Sequence, residues 1–120
     1  MAITKKKLSI EIDADGQSLG RVASVAAHNL RGKHLPDFAQ NVLPGVKVKI
    51  KNVTKLRFTG TKLKVNLYHR YSGYPGGLKT TTLEQEFIKN PVALVRQAVE
   101  HMLPKNRLQS RFMNNLTITR

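Results

Sequence analysis

An α/β fold is the class this sequence predicts, and three observations predict it. Residues 8–13, Leu8-Ser9-Ile10-Glu11-Ile12-Asp13, alternate apolar and polar, the period-two pattern of a half-buried strand. Leu19, Val22, Ala23, Ala26, Ala27 and Leu30 then fall at the i, i+3, i+4 spacing of a helix with one apolar stripe. Over residues 46–51 the alternation returns, with Val46, Val48 and Ile50 set against Lys47, Lys49 and Lys51. Strand, helix and strand over this distance predict a right-handed βαβ unit.

The remaining elements follow in order. Residues 1–7 are polar and basic and read as a flexible arm, leaving 8–120 as a single domain. Residues 14–18 form a turn in which Ser18 can cap the helix that runs to Arg31, and Gly32 stands at the C′ position. Arg21 and Arg31 fall off the apolar stripe and are expected at solvent. Residues 33–45 contain Pro36 and Pro44 and no clear period, so they read as loop. Leu56-Arg57-Phe58-Thr59 is a short strand candidate with a turn through Gly60. Leu63, Val65 and Leu67 alternate with Lys62, Lys64, Asn66 and Tyr68, which reads as a further strand. Thr81-Thr82-Leu83-Glu84-Gln85 holds two overlapping capping boxes, Thr81 with Glu84 and Thr82 with Gln85, and predicts a short helix to Lys89. Asn90 and Pro91 restart a helix as N-cap and N1, with Leu94, Val95, Ala98, Val99 and Met102 as its stripe, and Pro104 stops it. Residues 106–115 read as one more basic helix and 116–119 as a terminal strand.

Charge narrows the function. Lys plus Arg number 21 against 7 Asp plus Glu, a net charge of +14 on 120 residues. A domain with that self-repulsion is expected to meet a polyanion. Nucleic acid comes first and an anionic membrane surface second. Between Asp37 and Glu84 there is no acidic residue, and after Glu100 there is none again. Solvated faces usually interleave both signs, so these intervals point to contact rather than solubility. No apolar run is long enough to span a bilayer. Lys5-Lys6-Lys7 is not followed by an apolar core, so no signal peptide is expected. The chain has no cysteine, which excludes disulfides and thiolate metal sites and fits a reducing compartment.

Residues 68–79 concentrate the chemistry: Tyr68-His69-Arg70-Tyr71-Ser72-Gly73-Tyr74-Pro75-Gly76-Gly77-Leu78-Lys79. All three tyrosines of the chain are here. Their rings can stack on bases or sugars, and Arg70 and Lys79 can meet phosphate. The glycines allow positive φ and close approach of another backbone. A wide surface turn with an aromatic cluster accounts for the same residues equally well.

Catalytic motifs fare worse. Asp13-Ala14-Asp15-Gly16 after a strand looks like the nucleophile motif of haloacid-dehalogenase-like phosphatases, in which one Asp attacks phosphorus and the other serves as acid and base. That family needs a later acidic pair for magnesium. Here only Asp37 remains among the aspartates, and Glu84, Glu86 and Glu100 sit on expected helices. The glycines of 73–77 do not fit a Walker loop, since the position that would need Gly holds Leu78. His28, His34, His69 and His101 show no ligand-like spacing. His34 and His69 lie in basic surroundings and can donate to phosphate.

Four ordered segments carry a resemblance: Leu19-Gly20-Arg21-Val22-Ala23-Ser24, Arg31-Gly32-Lys33-His34, Tyr71-Ser72-Gly73-Tyr74-Pro75-Gly76-Gly77-Leu78-Lys79 and Met102-Leu103-Pro104-Lys105-Asn106. In order and spacing the chain resembles the universal large-subunit ribosomal protein L-thirteen family, bacterial or organellar type, over nearly its whole length. The resemblance implies a three-layer α/β/α domain around a four-stranded, largely parallel sheet. It implies a structural role in binding large-subunit rRNA and in early subunit assembly, with no catalysis and no cofactor. Neighbouring ribosomal proteins, L-three and L-twenty by analogy, are the implied partners. The implied location is the ribosome; a bacterial cytoplasm is favoured over an organelle because no transit peptide is visible in the sequence. The residues expected at RNA are Arg21, Arg31, Lys33, His34, then Tyr68, His69, Arg70, Tyr71, Ser72, Gly73, Tyr74, Gly76, Gly77 and Lys79, and finally Lys105, Arg107 and Arg111. Contact through phosphates predicts that affinity falls with salt by about 0.7 to 0.9 log units per log unit for each phosphate neutralised.

Overall fold

The computed structural model describes residues 9–36, 39–41 and 43–120. The arm expected over 1–7, and Leu8 of the first strand, lie outside the described residues. The chain begins with strand β1 (Ser9–Asp13), helix α1 (Leu19–Arg31) and strand β2 (Lys47–Lys51). β1 and β2 pair in parallel, Ile10 opposite Val48 and Ile12 opposite Ile50. This is the strand–helix–strand unit that the sequence predicts. Helix α1 starts where Ser18 Oγ accepts from Arg21 N–H at 3.4 Å. It ends where Gly32, at φ 74, donates to the carbonyls of Asn29 and His28. A Cβ at Gly32 would lie 2.8 Å from Pro44 Cβ and Cγ, so only glycine lets the loop before β2 cross the end of the helix.

After β2, Asn52 turns the chain at φ 60 into a single 3-10 turn, Val53–Lys55. Next come a four-residue helix α2 (Lys62–Val65), strands β3 (Leu67–Tyr71) and β4 (Leu78–Thr82), helices α3 (Leu83–Lys89), α4 (Pro91–Met102) and α5 (Leu108–Asn114), and strand β5 (Leu116–Ile118). β5 adds to the other edge of β2, again parallel, with Ile50 opposite Ile118. The caps expected for the late helices are present. Asn90 Oδ1 accepts from Ala93 N–H at 3.2 Å at the start of α4, with Pro91 beside it. Thr82 and Gln85 form a reciprocal capping box for α3. Thr81 does not cap; its hydroxyl donates to Glu86 at 2.8 Å.

One face of the parallel sheet makes the core. Ile12, Val48, Ile50 and Leu116 pack with Val22, Ala26 and Leu30 of α1, Val95 and Val99 of α4, and Phe112 and Met113 of α5. The small alanines of α1 let α4 lie close against it. The side chains of the alternate face, Ser9, Glu11 and Asp13 on β1, Lys47, Lys49 and Lys51 on β2 and Thr117 on β5, are exposed. Among the described residues the sheet is therefore covered by helices on one side only. The expected three-layer arrangement becomes two layers.

The four-stranded sheet also needs correction. The described residues form a three-stranded parallel sheet in the order β1-β2-β5 and a separate antiparallel pair, β3-β4. Leu56-Arg57-Phe58-Thr59 joins no sheet: Leu56 turns inward to the core, and Arg57 N–H donates to Gln17 O at 2.9 Å. The strand expected over 62–68 is a helical turn followed by β3. Its apolar residues find no buried face, since Val65 and Leu67 are exposed, and the bonds from Val65 N–H and Asn66 N–H to Thr61 O and Lys62 O close a helical turn instead. The last helix and strand are each slightly shorter than expected. Thr119 lies past β5 but still donates its N–H to Ile50 O at 2.8 Å.

Candidate nucleic-acid interface

Residues 68–79 are not a wide loop but most of a hairpin. β3 and β4 pair antiparallel with Arg70 opposite Lys79, Tyr71 opposite Leu78, His69 opposite Thr80 and Tyr68 opposite Thr81. Because strand side chains alternate, Tyr68, Arg70, Lys79 and Thr81 share one face, while His69, Tyr71, Leu78 and Thr80 share the other. Two like charges directly opposite each other cost stability unless an anion lies between them. The Arg70–Lys79 pair is thus a feature that folding alone would not favour. On the opposite face His69 Nδ1 lies 3.1 Å from Thr80 Oγ1, and Tyr71 is 67 % exposed.

The hairpin closes through Ser72–Gly77. Gly77 N–H donates to Tyr74 O at 2.9 Å and Ser72 N–H to Gly77 O at 3.4 Å. Gly73 and Gly76 sit at φ 89 and φ 73, where other residues are strained. The glycines divide their roles. A Cβ at Gly73 or Gly76 would meet nothing within 4 Å, so these two are held by conformation. A Cβ at Gly77 would run into Ser72 Oγ and lie 2.9 Å from Tyr74 O, so this one is held by space. Tyr74, at the tip, is 74 % exposed, and its ring is presented to whatever the hairpin meets. Tyr68, at the base, is half-buried. Burial, and then the nearby Glu86 carboxylate, raise its pKa above the usual 10.0, so its phenol stays neutral.

The other expected residues fall into separate groups. Arg31 and Lys33 line a depression with Ser24, His28 and Met102 at the end of α1, and the His28 and His34 ring centroids are 6.4 Å apart. Arg21 stands near the start of α1. Ten residues of helix separate it from Arg31, about 15 Å along the axis, so the two cannot meet one phosphate. Lys105, Arg107 and Arg111 are exposed around α5. Two cations that sequence reasoning left out, Arg57 and Lys62, line the same cleft as Arg21. Both lie in the acid-free interval, which was the only signal for them. The lysines of β2 are exposed rather than covered, and Lys51 Nζ reaches Glu11 at 3.5 Å.

Asp13 has a structural task. One carboxylate oxygen accepts from Asn52 Nδ2 and from Asp15 N–H, both at 3.0 Å, and the Asp13 carbonyl accepts from Gln17 Nε2 at 3.0 Å. These bonds tie the β1–α1 turn to the left-handed Asn52. The Asn52 amide, with the Asp15 N–H, holds the Asp13 pKa below the usual 3.8. A depressed carboxylate adds stability that is fully present above the unfolded value and is lost as pH falls through the folded one. Melting temperature is therefore expected to decline on acidification below about pH 4, and Asp13→Asn to flatten that limb. Parallel curves for the two proteins would show that this carboxylate does not couple to folding.

A small, strongly basic α/β domain is the class these features define. Among the described residues no group of three or more His, Asp or Glu is placed to hold a metal ion, and no helix is long and apolar enough to cross a membrane. The family described as "Ribosomal protein L13" matches residues 7–119, and the chain belongs to that family. It is a family of ribosomal structural proteins, not of enzymes. The chain is 47 % identical over 107 residues to "Large ribosomal subunit protein uL13" of Thermus thermophilus, covering 89 % of this chain and 76 % of that one. It is 44 % identical over 106 residues to the protein of the same name from Deinococcus deserti, covering 88 % and 74 %. With that of Pelotomaculum thermopropionicum it shares 46 % identity over 109 residues, covering 91 % and 76 %.

Proposed function

We propose that this chain is a non-catalytic constituent of the large ribosomal subunit that binds large-subunit rRNA and supports early subunit assembly. The observation that carries the reading is the hairpin: paired Arg70 and Lys79, exposed Tyr71 and Tyr74, and a glycine-set tip, inside an interval without an acidic residue. Cations there neutralise phosphates and release counterions, while the tyrosine rings stack on unpaired bases. Recognition is of RNA shape and backbone rather than of sequence along a duplex. The Arg31–Lys33–His34 group and the α5 cations Lys105, Arg107 and Arg111 serve as further phosphate contacts. Relatives named as large-subunit proteins support the subunit assignment, and their bacterial sources support a ribosome-bound place in a bacterial cytoplasm. Ribosomal proteins L-three and L-twenty are the neighbours that the family analogy suggests.

Sucrose-gradient fractionation of the native host tests the reading. The protein is expected to sediment with large subunits and their precursors, and to leave them as salt is raised. Recovery only in the low-mass fractions, or with membranes, would overturn it.

A further inference from the structure

Two adjoining depressions at the start of α1 form one cleft, sharing Ser18, Arg21, Arg57, Thr59 and Lys62. The inner part, ≈ 320 Å³, has an apolar wall of Leu19, Phe58, Tyr68 and Leu83 with Asn66 beside it. The outer part, ≈ 520 Å³, is bordered by the three cations Arg21, Arg57 and Lys62. No carboxylate lines either part. The cations are carried there by backbone bonds that do not involve their side chains: Gly16 N–H to Lys55 O at 3.1 Å and Arg57 N–H to Gln17 O at 2.9 Å. Phe58 is fixed by an edge-on contact with Phe87, ring centroids 5.1 Å apart.

We infer that this cleft receives a single unpaired RNA nucleotide, its base against Tyr68 and Phe58 and its phosphate between Arg21, Arg57 and Lys62. The inference rests on the rRNA-binding reading and gives it a specific point of contact. Size agrees, since sites for small ligands start at about 300 Å³. Chemistry agrees in both halves. Aromatic faces accept any base, a side-chain amide can meet a base edge, and the converging cations select an anion, since Glu86 lies near Tyr68 and is not among the residues lining the cleft. A stacked duplex cannot bring a base to the inner wall, so the nucleotide has to be splayed out of its helix.

The test is an NMR titration of the full chain with uridine or adenosine monophosphate, with uridine and inorganic phosphate as half-ligands. The mononucleotides are expected to shift the amides of Ser18, Arg21, Arg57, Lys62 and Tyr68 saturably, and each half-ligand to shift them more weakly, inorganic phosphate leaving Tyr68 unmoved. The double variant Arg57→Gln/Lys62→Gln keeps the backbone bonds of the cleft and is expected to fold. It should bind mononucleotides about tenfold more weakly and lose about 0.7 from the log–log salt slope of rRNA binding for each contact removed. Absence of saturable shifts at these amides, or equal binding by the variant, would overturn the inference. Wild-type rRNA affinity and slope in the variant would sink the cleft while leaving the rRNA reading intact. Saturation by mononucleotides in a protein that does not bind rRNA at all would overturn the RNA source of the ligand and the rRNA reading together.

Discussion

Ile50→Ala is expected to lower stability to unfolding by about 2–5 kcal/mol, a large part of the roughly 5–15 kcal/mol available to a domain of this kind. Ile50 is 0 % exposed, on the central strand, with Ile12 on one neighbour and Ile118 on the other. Its side chain lies in the core to which α1, α4 and α5 contribute, so no single element can move to fill the space it leaves. The cost is then the lost transfer energy plus a cavity that relaxes only in part. The backbone work of the residue is untouched, because Ile50 O still accepts from Thr119 N–H. In urea the midpoint should fall with little change in the slope, the mark of a stability change alone. Lys49→Ala, one residue away on the open face, should change stability by less than about 0.5 kcal/mol. Equal effects at the two positions would mean that the sheet is not one-sided.

The difference between Ile50 and Lys49 could be read from the alternation of 46–51, and α1 could be read just as directly. Its cap, its stripe and its terminal glycine are local signals that agree with one another, and Ser18, Ala26 and Gly32 do what their positions suggest. The segment from 56 to 68 was illegible for a physical reason. Leu63, Val65 and Leu67 have the period of a strand, but a strand needs a partner and a face to bury: Leu63 and Val65 have no strand partner, and Leu67, which pairs with Thr82, is exposed. Thr80, Thr81 and Thr82 carried a β signal as branched residues, masked by the capping box that begins at Thr82. The hairpin then became visible only once His69 and Thr80 could be set opposite each other. The candidate site divides in the same way. Arg70, Lys79 and the tyrosines are close in sequence and could be found there. The meeting of Arg21 with Arg57 and Lys62 depends on the Gln17–Arg57 and Gly16–Lys55 backbone bonds, which join segments roughly forty residues apart and leave no periodic trace.

Gly76→Val is expected to weaken rRNA binding on the order of tenfold while lowering the melting temperature little. Gly76 sits at φ 73, and its missing Cβ would touch nothing within 4 Å. The penalty is therefore one of backbone conformation, about 1–3 kcal/mol for a residue held in a sparsely populated region, and worst for a β-branched one. The turn can escape that penalty by rearranging, because it lies outside the core cluster and residues 72–76 are exposed. Rearrangement leaves β1, β2, β5 and the helices as they were, so global unfolding hardly registers it. It does move Tyr74 and tilts Arg70 against Lys79, and contacts to RNA backbone depend on that geometry. Gly76→Asn, which tolerates positive φ, should bind close to wild type. Side-chain bulk is thereby separated from conformation. The opposite pattern, a clear loss of stability with unchanged rRNA affinity in the protein that remains folded, would make the hairpin tip architectural and move the RNA contact elsewhere on the basic surface.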